Sequence, residues 1–201
     1  MARWNNKLGL NLRIQELKRE AVVEEAGRAF NAAGYHNTTL DDVARSLNIS
    51  KGSIYNYFKD KEEILFECHR IANRLSDRAL VYGEEHGGTG YETVRRVVCK
   101  LIQLLTTEFG TCGVLTEITA LNDEHKAIIA ADRDALFDRL NRIIRRGIED
   151  GSIRKVNPEI ALLTIMGSVN WLTKWYSSTG KLSAEEVAEE MSGILARGLA
   201  P

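Results

Sequence analysis

Residues Thr39 to Phe58 read TLDDVARSLNISKGSIYNYF, and this stretch decides the fold. Thr39 offers a hydroxyl to an orphan backbone N–H, with Asp42 three residues on as the Asp version of a capping box, so a short helix is predicted over 40–47. Asn48 enters the left-handed region at less cost than most residues and marks a turn. Ser50 then caps a second short helix that reaches Tyr57 or Phe58. Leu40, Val43, Ala44 and Leu47 line one face of the first helix, where Ile49, Ile54, Tyr55 and Phe58 can meet it. Ala44 is small enough for close approach, and Ile54 plugs the angle. Two short helices packed across a tight turn are the pattern of a helix-turn-helix. The outward residues Lys51, Ser53, Asn56, Tyr57 and Lys59 are of the types that bind phosphates and base edges, with Gly52 open to backbone approach.

The pattern extends in both directions. From Leu12 to Ala33 nothing breaks a helix, and Val22, Ala26, Ala29, Phe30 and Ala33 form one buried stripe that ends at Gly34. Asp60, with Glu63 three residues later, caps a helix from Lys61 to about Tyr82. Gly83, Gly87, Gly88 and Gly90 then break the pattern; lacking a following Lys-Ser or Lys-Thr, they read as a connector and not as a phosphate loop. Further helices are expected over 91–107, within 114–122, over 124–149, over 158–177 after the Asn157-Pro158 cap, and over 183–198 after the Ser183–Glu186 capping box. About nine helices, an all-α fold, and two units follow: 1–60 as the helix-turn-helix unit and 61–201 as a ligand-binding and dimerisation unit.

Composition agrees with this division. The chain has 201 residues, 44% hydrophobic and 27% charged, and its 2 prolines stand at 158 and 201. Through Lys59 nine basic residues face six acidic ones, whereas the remainder is net negative under an overall charge of -1. The amino-terminal part is therefore the cationic one, as a nucleic-acid face requires. Three cysteines without CxxC spacing indicate neither a disulfide framework nor a zinc site. No apolar run approaches a membrane span and no signal block precedes Gln15, so a cytoplasmic protein is expected.

From Ala29 to Leu65 the sequence AFNAAGYHNTTLDDVARSLNISKGSIYNYFKDKEEIL closely resembles the DNA-binding domain of the TetR family of transcriptional regulators. The resemblance covers the end of the first helix with its Gly-Tyr, the Thr-capped second helix, the Ser-Lys-Gly-Ser-Ile-Tyr turn and helix, and the Tyr-Phe-x-x-Lys-Glu-Glu junction. It implies that Thr39, Ser50, Ser53 and the backbone at Gly52 grip phosphates. It implies that Lys51, Tyr55 and Asn56 face the DNA, the latter two reaching the major groove, with Tyr55 alternatively a packing residue. Tyr57, Lys59 and Lys61 are implied as further backbone contacts. Arg45 is either a backbone contact or a solvated arginine, and the arm from Arg3 to Lys7 either enters a minor groove or is a free tail.

The resemblance implies a homodimer on a palindromic double-stranded operator. The candidate interface is Ile160, Leu163, Gly167, Trp171, Val187, Met191, Ile194 and Leu195 on the last two helices. A hydrophobic effector is implied between this face and the DNA-binding part, with candidate contacts Phe66, Ile71, Leu75, Leu101, Leu105, Phe109, Leu115, Phe137, Leu140, Ile144, Asn170, Trp171 and Trp175. The segments Asn170–Tyr176, Gly180–Glu186 and Ile194–Leu199 are similar to the subgroup that governs fatty-acid and sterol catabolism and answers to acyl-CoA thioesters, although Ser177 and Ser178 depart from its pattern. A long acyl chain is the expected effector, and an aromatic or lipophilic compound the alternative. Arg142, Arg145 and Arg146 either meet a CoA phosphate or form a solvated face. No cofactor and no metal are expected.

A helical enzyme and a protein-interaction module are the competing classes. His36, His69, His86 and His125 are scattered, neither HExxH nor GxSxG occurs, and adjacent Cys68 and His69 point about 100° apart on a helix. An enzyme is not expected.

Overall fold

A computed structural model of the chain describes residues 2–107 and 117–201. Among these residues there are eight α-helices and no strand: α1 (Ala2–Ala33), α2 (Leu40–Ser46), α3 (Lys51–Tyr55), α4 (Lys61–Glu85), α5 (Gly90–Thr107), α6 (Asp123–Glu149), α7 (Pro158–Trp175) and α8 (Ala184–Arg197), with a 3-10 turn at Ile118–Ala120. Phe109, Cys112 and Leu115 lie outside the described residues.

Local chemistry accounts for most boundaries. Thr39, Ser50, Asp60, Asn157 and Ser183 each accept a backbone N–H in the first turn of the helix they precede. The Ser183–Glu186 capping box closes in both directions. Asn122, unremarked in the sequence, does the same for α6 by accepting from the His125 N–H. Asn48 stands at φ 54, where the chain turns between α2 and α3. Several boundaries differ from expectation: α3 ends at Tyr55, with Asn56 as its C-cap, and not at Tyr57 or Phe58, and α7 ends at Trp175 and not at 177. The first helix begins at Ala2 and not at Leu12, so the Arg3–Lys7 arm is helical; with no proline to stop it, each added residue gains one backbone bond. The fourth helix runs through Gly83 to Glu85. Gly83 is buried, and a Cβ there would lie 2.3 Å from Val97 Cγ2, so this glycine serves the approach of α5 and does not break α4.

The first three helices enclose a small core. Val22, Val23, Ala26 and Phe30 of α1 meet Leu40, Val43 and Ala44 of α2, Ile54 of α3, and Phe58, all buried. α4 closes this core with Ile64, Leu65 and Cys68 and then continues away from it. Buried Glu67 joins the two helices, 3.1 Å from Arg19 on α1 and 3.2 Å from Arg70 on α4. Burial alone would raise its pKa, but the bond from Arg19 and the charges of Arg70 and Arg74 hold it below the usual carboxylate range.

Beyond that point α4 packs on α5 and α6, while α5 is also covered by α8. The start of α5 crosses α6 with backbones in contact: a Cβ on Gly90 would lie 2.2 Å from the Gly147 Cα. Asp150 accepts from the Gly90 N–H at 2.8 Å, and Arg146 donates to Thr93 Oγ1 at 2.8 Å and to the Gly88 carbonyl. Arg146 therefore pins a helix start and is not a free phosphate ligand.

Candidate DNA-reading surface and ligand cavity

Within 39–61 the polar residues divide into those spent on the fold and those left outward. Thr39 accepts from the Asp42 N–H, while its hydroxyl and its own backbone N–H donate to Asp42 Oδ2 at 2.6 and 3.0 Å; these two donated bonds hold the Asp42 carboxyl below its ordinary pKa. Ser50 caps α3 and is 2.8 Å from Ser53 Oγ. Lys51 donates to Asp41 at 2.6 Å, and that bond raises its pKa. This pair is exposed, so it can open towards a phosphate at little cost. Gly52 meets nothing nearer than Ser50 Oγ at 3.7 Å from a notional Cβ, so nothing inside the protomer requires a glycine.

The two tyrosines exchange the roles their neighbours suggest. Tyr55 is 51% exposed, and Asn56 and Lys59 are exposed with it. Tyr57 is half-buried against the core. Arg45 is exposed beside Asp42.

Lys61 turns inward. Its ammonium donates to the Tyr35 carbonyl at 2.7 Å and the Thr38 carbonyl at 2.8 Å, and it lies 4.3 Å from the centre of the Tyr35 ring. Burial lowers its pKa. It clamps α4 to the α1–α2 turn and so is not available to a phosphate in this conformation.

A cavity of about 140 Å³ lies between α4, α5, α6 and α7. Leu101, Phe137, Leu140 and Asn170 line it as expected. Phe66, Ile71, Leu75, Leu105 and Ile144 are buried in the packed core and are not on its wall. Trp171 and Trp175 also stay off it; both are exposed on the outer side of α7. The sequence reading missed Arg133 of α6 and a polar run on α4, His69, Asn73 and Ser76, together with Leu80. The signal for the α4 run was present: spacings of four, three and four put its residues on one face of that helix.

On α7, Ile160, Leu163 and Trp171 are exposed along one stripe with Gly167, and Ile194 of α8 is exposed as well. Val187 departs from the expected interface, because α8 turns it into the protomer core at 2% exposure. Met191 and Leu195 are half-buried at the edge of that core. Among the described residues no cluster of His, Cys, Asp and Glu could hold a metal ion, and no helix is long and apolar enough to cross a membrane.

The profile described as "Bacterial regulatory proteins, tetR family" matches residues 22–68, and that described as "Tetracyclin repressor-like, C-terminal domain" matches 87–199. The chain is 26% identical to the HTH-type transcriptional repressor KstR2 of Rhodococcus jostii strain RHA1, with 91% of each chain covered. Among solved structures, PfmR of Thermus thermophilus, a TetR family transcriptional regulator, is 30% identical with a TM-score of 0.75, covering 90% of this chain and 99% of that one. AibR in complex with isovaleryl coenzyme A and operator DNA is 25% identical with a TM-score of 0.73, covering 88% of this chain and 96% of that one.

Proposed function

The chain belongs to the TetR family of DNA-binding transcriptional regulators, and from that premise we propose that it is a homodimeric repressor released from a palindromic operator by an acyl-CoA thioester. In this reading residues 1–60 are the DNA-binding unit, and 61–201 bind the effector and the second protomer. Ser50, Ser53 and the Gly52 backbone sit against phosphates with Lys51 and Lys59, while Tyr55 and Asn56 enter the major groove. Thr39 holds the start of α2 against the backbone. The stripe of Ile160, Leu163, Gly167 and Trp171, with Ile194, pairs with its copy, as an exposed apolar patch of this kind requires. Pairing sets the two copies of α3 one helical turn of DNA apart, about 34–36 Å.

One observation carries the mechanism: α4 is a single helix from Lys61 to Glu85, clamped to the DNA-binding unit at its start and walling the cavity further along. An effector that wedges α4 outward moves Lys61, and with it the α1–α2 turn and α3. Moving the population from mostly bound to mostly released requires a preference of about 5.5 kcal/mol for the released state. Burying a body of about six carbons at ~0.8 kcal/mol per CH₂ comes near that figure. AibR, whose crystal holds isovaleryl coenzyme A with operator DNA, supports the class of effector.

The test is fluorescence anisotropy with the DNA flanking the protein's own gene. Binding that is specific for a palindrome, weakens with salt in proportion to the phosphates contacted and is reversed by acyl-CoA is expected. Binding with no sequence preference would overturn the regulator reading.

A further inference from the structure

The cavity wall is mostly apolar, and its exceptions are informative. His69 is 3% exposed, and its Nε2 has no hydrogen-bond partner among the described residues. Asn73 Nδ2, one turn later on the same face of α4, is buried and equally unpartnered. Folded proteins satisfy nearly all buried polar atoms, so two orphans side by side on a cavity wall mark the seat of a ligand atom. Burial lowers the His69 pKa to about 4, which leaves the ring neutral near pH 7. A neutral imidazole can donate one N–H, and the Asn73 amide donates too; the one cation on the wall, Arg133 of α6, is half exposed and paired with Asp134 at 3.1 Å, so the two neutral donors suit a neutral carbonyl oxygen better than a carboxylate.

Volume restricts what the carbonyl is attached to. A cavity of about 140 Å³ is close to the roughly 150 Å³ of an engineered apolar cavity that takes up benzene. It holds a branched or aromatic group of about four to seven carbons. A long chain or a four-ring nucleus is too large.

The exit from the cavity is basic. Asn73 and Leu136 also border an open groove on the outer side of α4 and α6, lined by Arg70, Arg74, Arg78 and Arg139 against Asp77 and Asp132. Arg139 is paired with Asp77 and Glu84, and Arg70 with Glu67, so the groove is organised before any anion arrives. A ligand whose carbonyl sits at Asn73 passes within one residue from an apolar chamber to a cationic surface.

We propose, on the effector reading above, that the effector is a CoA thioester of a compact acyl group, its carbonyl held by His69 and Asn73 and its phosphates lying along the arginine groove. The experiment is calorimetric titration of the full-length protein with benzoyl-CoA, butyryl-CoA, palmitoyl-CoA, free CoA and the phosphate-free N-acetylcysteamine thioester of benzoate. Compact CoA esters should bind at least tenfold more tightly than palmitoyl-CoA or free CoA. Asn73→Leu and His69→Leu should each weaken benzoyl-CoA at least tenfold while Tm stays level or rises, because they remove orphan polar atoms; a purely structural role would lower Tm. Should His69→Leu fail to fold, Asn73→Leu carries the same comparison. Arg74→Ser should weaken the CoA ester several-fold and leave the phosphate-free thioester unchanged.

Tighter binding of palmitoyl-CoA, or wild-type affinity for benzoyl-CoA in Asn73→Leu, overturns the proposal while leaving an acyl-CoA effector in place. Failure of every thioester to bind removes both.

Discussion

His125 Nδ1 stands 2.9 Å from Glu62 Oε1, joining the first turn of α6 to the first turn of α4. The same carboxylate accepts from the Asn122 backbone and side chain, and the His125 ring stacks on Phe66 at 3.8 Å. Lys61, the preceding residue, holds the Tyr35 and Thr38 carbonyls. One turn of α4 is thus gripped from the effector-binding side and from the DNA-binding side. Glu62→Ala is expected to change operator affinity less than about threefold without effector, yet to raise the acyl-CoA concentration for half-release at least tenfold; anisotropy of labelled operator measures both. Wild-type release would detach this contact from signalling. A carboxylate with this many hydrogen bonds also contributes about 1–3 kcal/mol to stability.

His69 makes stability depend on pH. Its folded pKa, about 4, lies below the unfolded value near 6.5, so the unfolded chain binds the extra proton first as pH falls. Stability is full above about pH 6.5 and is lost progressively between there and pH 4. Between pH 7 and pH 5 the loss is expected to be about 2 kcal/mol. Urea unfolding at the two pH values should show it, and His69→Gln should flatten the difference; an unchanged slope would place the loss elsewhere.

Tyr55 and Tyr57 should separate function from folding. Tyr55→Ala removes an exposed ring and is expected to keep the wild-type Tm while weakening the operator complex at least tenfold. Tyr57→Ala removes a ring packed on the core and is expected to cost about 2–3 kcal/mol of stability. Thermal melts beside gel shifts decide the matter, and equal operator affinity for Tyr55→Ala and wild type would remove Tyr55 from the contact surface.

Leu163→Arg with Trp171→Arg places two charges in the exposed stripe of α7. The double variant is expected to be a folded monomer by light scattering, with wild-type helicity and operator affinity reduced at least a hundredfold. A dimer that survives both charges would move the interface to another face.

Gly90→Ala tests the crossing of α5 over α6. A methyl group there meets the Gly147 backbone, which cannot rotate away, so the helices must part. A loss of about 3 kcal/mol or more is expected in urea unfolding, against a change within about 1 kcal/mol for Gly52→Ala, where a Cβ meets nothing nearer than Ser50 Oγ at 3.7 Å. Equal stability of the two variants would refute the close approach.

Element boundaries and the helix-turn-helix were legible because they rest on local chemistry. A cap such as Thr39, Ser50, Asp60, Asn157 or Ser183 needs only a hydroxyl, amide or carboxylate and the three residues after it. The burial of Val43, Ile54 and Phe58 followed from spacing for the same reason. Gly83 was misread because a glycine inside a helix looks the same whether it ends the helix or admits a neighbour, and only α5 distinguishes the two.

Orientation of the polar residues belongs to the tertiary structure. Lys61 looks like an exposed lysine at a helix start until the α1–α2 turn folds back and presents two carbonyls to it. Val187 looks like a dimer residue until α8 lies on α5. His69 and Asn73 become cavity walls only when α6 and α7 close over α4. Periodicity and capping are short-range, so the amino-acid order alone determined that this chain is a bundle of helices carrying a helix-turn-helix. Which donors are spent on the protomer and which remain for a ligand depends on packing between residues far apart in sequence, and the three-dimensional fold decided it.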